Sequence, residues 1–141
     1  MSELVKLHYD VDGNDFSAAG EASMKIKKEL RNLGFPQDII RRIAIAVYEG
    51  EINMVIHANG GEAEVLVYED RIVMILTDRG PGIANIEQAM QEGYSTAPDN
   101  VRSLGFGAGM GLPNMKRYTD DMKIESVVGE GTTITMTVLL A

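Results

Sequence analysis

Residues Gly105-Phe106-Gly107-Ala108-Gly109-Met110-Gly111-Leu112-Pro113 carry four alternate glycines straight into a predicted helix start. Small residues leave successive backbone N–H groups exposed, and a helix N-terminus adds about half a positive charge, so the stretch suits an anion. Two familiar phosphate motifs are excluded. A G-x-G-x-x-G fingerprint begun at Gly105 needs glycine where Met110 stands, and one begun at Gly107 needs it where Leu112 stands. The Gly-Lys-Ser/Thr ending of a P-loop is missing, and the stretch follows no buried strand of a βαβ unit.

Upstream, Asp78-Arg79-Gly80-Pro81-Gly82-Ile83 closes a predicted strand. Two glycines around a proline form a turn whose backbone can approach a flat ligand, with Asp78 facing that approach; the same residues also suit a plain strand-ending turn. Further upstream, Glu49-Gly50-Glu51-Ile52-Asn53-Met54-Val55-Ile56-His57 lies on a predicted helix. At ~100° per residue, Glu49 and Asn53 lie about 40° apart on the apolar face, whereas Glu51 points about 200° away from Glu49. A carboxylate and an amide on that face need a reason to be there. Gly50 costs a helix interior about 1 kcal/mol against alanine, which predicts close packing at that point.

Around these segments the periodicity changes several times. Val5, Leu7, Tyr9 and Val11 alternate as a half-buried strand. Helical spacing follows over 17–33, with Asp15 or Ser17 as the expected cap, and again from Pro36 to about residue 58. Strands are predicted over 63–68, 72–77, 123–128 and 132–140, with helices over 86–92 and 113–120. The order βααββ(α)αββ predicts helices layered on one face of a largely antiparallel sheet.

Composition bounds the function. The 141 residues fit one domain, and 45% apolar with 24% charged residues is ordinary globular composition. Lys and Arg number 13 against 21 Asp and Glu, for a net charge of −8; with a pI near 4.7 this argues against a nucleic-acid partner. The absence of cysteine removes disulfides, zinc–thiolate sites and thiol catalysis. Apolar runs fall far short of the ~20 residues of a membrane span, and residues 1–10 carry no signal-peptide pattern, so the expectation is a cytoplasmic protein with no membrane partner.

Together, in this order, the three segments resemble the GHKL ATPases, the superfamily that includes histidine kinases and type II topoisomerases. The helix from Glu49 looks like the N box, Asp78 to Gly82 like the first glycine box, and Gly107 to Leu112 like the second. Gly131-Thr132 is similar to the Gly-Thr pair of that fold. The likeness is closest to the small bacterial branch of anti-sigma factors and serine-protein kinases that includes the stressosome switch kinase. Gln88-Ala-Met90, Gly93-Tyr-Ser-Thr96, Gly111-Leu-Pro-Asn-Met-Lys-Arg117, Asp120-Asp121 and Ile124-Glu-Ser-Val127 carry it.

The resemblance implies a Bergerat-type two-layer α/β sandwich, its sheet mixed and largely antiparallel, spanning residues 1–141 as a single ATP-binding domain. It implies that Asp78 accepts the adenine amine, that Thr132 assists through water, and that Asn53 ligates Mg²⁺. It also implies ATP contacts from Gly80, Gly82, Gly107, Gly109, Met110, Gly111 and Leu112, and a general base at Glu49. Residues 93–104 would form the ATP lid; Arg102 and Lys116 are expected to be solvated. The leading expectation is a serine/threonine kinase acting on a STAS-domain antagonist in a partner-switching pathway. The alternatives are a nucleotide-gated anti-sigma factor that sequesters a sigma factor without turnover, and a detached sensor-kinase catalytic domain; homodimerisation is compatible with each. His57 is expected at the rim of the site, His8 in solvent, and Met24, Met54, Met74 and Met136 in the core. Glu51 is expected to be solvated or to face a partner. Gly50 and Glu51 depart from the small apolar residues expected after the base, and no room remains for a phospho-acceptor helix region or a transducer domain.

Overall fold

The computed structural model describes residues 3–13, 19–58, 60–90 and 111–140. Among these residues nine elements follow in order: β1 (Val5–Asp12), α1 (Glu21–Asn32), α2 (Gln37–Ala58), β2 (Gly60–Val67), β3 (Arg71–Asp78), α3 (Ile86–Ala89), α4 (Gly111–Arg117), β4 (Asp121–Val127) and β5 (Gly131–Leu139). The strands form one sheet in the order β1-β2-β3-β5-β4. Where a mixed, largely antiparallel sheet was expected, every ladder among the described strands is antiparallel.

Strand alternation makes one face apolar. Ala63, Val65 and Val67 of β2, Ile72, Met74 and Leu76 of β3, and Ile134, Met136 and Val138 of β5 are buried. Against them pack Ile26 and Leu30 of α1, Ile43, Ala46 and Val47 of α2, and Met115 of α4. The β-branched and long residues of the strands suit a pleated, half-buried surface. Helices on one face of a single sheet give the two layers.

Helix α1 presents Ala22, Ile26 and Leu30 to the core at four-residue spacing. It ends where Gly34 takes a positive φ of 87° and its N–H reaches the Arg31 carbonyl at 3.0 Å. Helix α2 then starts just after Pro36 and runs 22 residues, about 33 Å, long enough to cross the whole sheet. Its C-terminal half lies over the end of the sheet where β2 begins and β3 ends. The contact is close: a Cβ on Gly80 would stand 2.5 Å from the Ala58 Cβ, and one on Gly61 would stand 2.8 Å from the Met54 Sδ.

The start of α1 is held in a way its own sequence does not reveal. Gly20 at its N-cap offers no side chain. The Glu51 carboxylate of α2 takes over: Oε2 accepts the N–H groups of Gly20 at 2.8 Å and Ala22 at 3.1 Å, and Oε1 accepts that of Ser23 at 3.1 Å. Glu51 is 2% exposed, which overturns the expectation of a solvated or partner-facing charge. A negative group at a helix N-terminus satisfies orphan donors and the helix dipole together. The caps expected at Asp15 or Ser17 lie outside the described residues. Met24 is also corrected: it is 70% exposed, whereas Met54, Met74 and Met136 are buried.

Candidate functional site

The register brings four residues into one row across the helix-facing side of the sheet. Gly61 pairs with Asp78, Asp78 with Thr132, and Thr132 with Ser126. The row sits at the end of the sheet covered by the last turns of α2. Glycine at position 61 is required there, since a Cβ would collide with the Thr77 carbonyl.

Asp78 is anchored through one oxygen. Its Oδ1 accepts the backbone N–H of Gly80 at 3.0 Å and that of Thr132 at 3.2 Å. The first bond folds the glycine turn back over the strand end, and the second ties β3 to the start of β5. Both fall on Oδ1, so the carboxylate is fixed in direction while Oδ2 takes neither of them. Gly131 follows the same logic: its φ is 135°, and a Cβ would run into the Asp78 carbonyl.

Ser126 joins the turn to the β4–β5 hairpin. Its Oγ accepts the Ile83 N–H at 2.7 Å and lies 3.1 Å from the Gly131 carbonyl and 2.8 Å from the Thr132 Oγ1. A second tie runs from the Gly129 N–H to the Pro81 carbonyl at 2.8 Å. Gly82, at φ 78°, lies against Val127, where a Cβ would stand 2.6 Å from the carbonyl oxygen. The Asp78–Ile83 turn is thus stapled at both ends.

The second group of residues lies between α2 and α4. Glu49 and Asn53 are half-buried on the same face of α2. The Asn114 amide of α4 donates to the Glu49 Oε1 over a long 3.4 Å. Gly111 packs directly on Asn53, since a Cβ there would stand 3.0 Å from both amide atoms. Leu112 and Met115 are buried and anchor α4 in the core. Burial pushes the Glu49 carboxyl above its ordinary value, and the Asn114 hydrogen bond, which favours the ionised form, offsets part of the rise.

His57 links the two groups. It lies one turn beyond Asn53 on α2, and burial holds its imidazole below the ordinary range while the nearby Asp78 charge pulls the other way. Gly50 explains itself at the same helix: a Cβ would collide with the Leu76 side chain and stand 3.1 Å from the Met115 Cε. Helix, sheet and α4 converge on that missing methyl.

The arrangement therefore assembles Glu49, Asn53, Gly111 and Leu112 at one side, and Asp78, Gly80, Gly82 and Thr132 at the other. Gly107, Gly109 and Met110, the 93–104 segment and Arg102 lie outside the described residues. Lys116 is exposed, as is His8. Ser126 and Asn114 were assigned no role from sequence. Ser126 left a signal: Met122, Ile124 and Ser126 alternate along β4, which puts a hydroxyl on the apolar face. Asn114 left none, because its partner lies 65 residues away.

Among the described residues no helix is long and apolar enough to cross a membrane. The chain matches the histidine kinase-like ATPase domain over residues 14–138. It is 35% identical over 124 residues to the serine/threonine-protein kinase RsbT of Bacillus subtilis, a match covering 85% of each chain. It is 32% identical over 120 residues to an anti-sigma F factor of Priestia megaterium, covering 80% of this chain and 78% of that one. Among solved structures, the RsbU and RsbW domains of Rv1364c from Mycobacterium tuberculosis align with a TM-score of 0.66 and 20% identity, over 96% of this chain and 32% of that one. The mycobacterial sensor histidine kinase MprB aligns with a TM-score of 0.54 and 17% identity, over 96% and 97%. These two likenesses concern the fold.

Proposed function

The chain belongs to the histidine kinase-like ATPase family, and from that premise we propose that it is an ATP-dependent serine/threonine protein kinase of a partner-switching pathway, phosphorylating a STAS-domain antagonist of an anti-sigma factor. Residues 1–141 act as a single ATP-binding domain in this reading. The observation that carries it is the half-buried Glu49 carboxylate, held by Asn114 on the helix face that also bears Asn53.

Asp78 receives the adenine amine on Oδ2, the oxygen that neither Gly80 nor Thr132 engages. The backbone from Gly107 to Leu112 holds the phosphates, and Gly80 and Gly82 let the turn approach the base. The Asn53 amide oxygen, beside a Gly111 with no Cβ to crowd it, fits a hard divalent cation such as Mg²⁺ that keeps several waters. Such an ion neutralises charge on the triphosphate when bound. Glu49 accepts the proton of the substrate hydroxyl as its oxygen attacks the γ-phosphorus and the bond to the ADP oxygen breaks. Burial favours the protonated carboxyl, which makes Glu49 a stronger base than a free glutamate.

The test is incubation of the protein with Mg·ATP and the STAS-domain protein encoded beside it. Phosphate transfer to a serine or threonine, lost in Glu49→Gln while ATP binding persists, is the expected result. The anti-sigma F relatives favour a second reading, capture of a sigma factor gated by nucleotide. Capture would survive Glu49→Gln, and phosphotransfer would not.

A further inference from the structure

We infer that Ser126 sets the polarity of the Thr132 hydroxyl and so acts as a positioning residue for recognition of the nucleotide base; the inference rests on the proposed adenine role of Asp78. It follows from counting protons. Three short contacts meet at the Ser126 Oγ: the Ile83 N–H at 2.7 Å, the Thr132 Oγ1 at 2.8 Å and the Gly131 carbonyl at 3.1 Å. A serine hydroxyl offers one proton and two lone pairs.

The Ile83 N–H can only donate, so it occupies one lone pair. The Gly131 carbonyl can only accept, so it requires the single Ser126 proton. The remaining contact is satisfied in one way: Thr132 donates its own proton to the second lone pair of Ser126. Were Ser126 to donate to Thr132 instead, its oxygen would face the Gly131 carbonyl at 3.1 Å with no proton between them. Every hydrogen-bonding position of Ser126 is then used, and all three contacts carry a proton.

The consequence falls on the ligand side. With its proton turned toward Ser126, the Thr132 Oγ1 offers the cleft lone pairs only. Thr132 is the cross-strand partner of Asp78 and donates its N–H to the Asp78 Oδ1. The end of the cleft therefore presents two acceptors, a carboxylate oxygen and a hydroxyl oxygen that cannot donate. A base edge carrying an amine, directly or through a water that donates, is matched. A carbonyl at the same place meets lone pairs on both sides. Ser126 lies behind this surface and acts on the base through Thr132.

The discriminating probe is ITP, which replaces the 6-amino group of ATP by a carbonyl. Affinities for ATP and ITP are measured by titration calorimetry on the wild-type chain, Ser126→Ala, Ser126→Thr and Thr132→Val. The wild type is expected to prefer ATP. In Ser126→Ala the Thr132 proton loses its acceptor and can turn to the carbonyl, so the ATP:ITP preference falls about tenfold. Ser126→Thr keeps the hydroxyl and the preference. Should Ser126→Ala fail to fold, Thr132→Val, which leaves Ser126 bound to Ile83 and Gly131, must lower the preference as well. A wild type that prefers ATP, with the preference unchanged in a folded Ser126→Ala or in Thr132→Val, overturns this role while leaving the adenine reading intact. A wild type that binds ATP and ITP equally overturns both.

Discussion

Glu49 and Glu51 stand two residues apart on α2 and serve opposite sides of the helix. The Glu49 carboxylate meets the Asn114 amide of α4 beside Asn53, and the Glu51 carboxylate is sealed against the start of α1, where it accepts three backbone N–H groups. Gly50 between them lets α2 sit directly on Leu76 of β3. One short segment thus ties α2 to α1 through one carboxylate and to α4 through the other.

Glu51→Ala should cost about 3 kcal/mol of stability, because three buried donors lose a charged acceptor at once. Glu51→Gln, which keeps one acceptor oxygen, should recover part of it. Chemical denaturation gives both values. A loss under about 0.5 kcal/mol, the range of an ordinary surface change, would contradict the capping role.

Gly50→Ala should destabilise the protein even though alanine is the better helix former. The gain in propensity is about 1 kcal/mol, and overpacking against Leu76 and Met115 costs roughly 1–3 kcal/mol. Pairing Gly50→Ala with Leu76→Val should recover much of the loss, and a double-mutant cycle measures the coupling.

Phosphotransfer should rise with pH along an acidic limb set by Glu49. Its carboxyl lies above the ordinary 4.5, and it serves as a base only when ionised, so the limb falls above that value. Asn114→Ala removes the bond that lowers the pKa and should move the limb to still higher pH. The sign for stability is opposite: the contribution of the neutral carboxyl is present below 4.5 and is lost as pH rises through the folded value. A pH–rate profile of the two proteins checks the direction.

Asp78→Asn should abolish stabilisation by ATP with little change in the fold. The amide oxygen can still take the N–H groups of Gly80 and Thr132, which turns an NH₂ group toward the adenine amine. A ligand at 100 times its dissociation constant adds about 2.7 kcal/mol, so the thermal shift of the wild type and its loss in the variant are both readily measured.

His57 should titrate below 6.5, since burial outweighs the attraction of Asp78. Its neutral form contributes stability above 6.5 that is lost as pH falls through the folded value. Proton NMR of the His57 imidazole against pH tests the direction.

What was legible in sequence followed local periodicity. Val5 to Val11 at period two, the four-residue spacing of α1 and the alternation of β5 each imply their element without reference to the rest of the chain. Element ends moved by a few residues: the strand expected over 63–68 begins at Gly60, because the glycines there pair with Val11 and Asp12 of β1. The close packing predicted at Gly50 is explained by Leu76 and Met115. Glu51 was misread because its partners lie 28 to 31 residues away and a glutamate on a helix is ordinarily solvated. Met24 was misread because methionine is at home in a core, yet its place on α1 falls between the Ala22 and Ile26 that face inward.

The strand order has a kinetic corollary. The last strand, β5, lies between β3 and β4, and the bond from Thr132 to Asp78 spans 54 positions of the chain. Contacts of that separation carry a larger loop-closure cost than the local hairpin of β2 and β3. The row from Gly61 through Asp78 and Thr132 to Ser126 is continuous only with the final strand in the middle of the sheet. A partly folded intermediate holding every element up to α4 would carry the Glu49 carboxylate with no floor on which a nucleotide could rest.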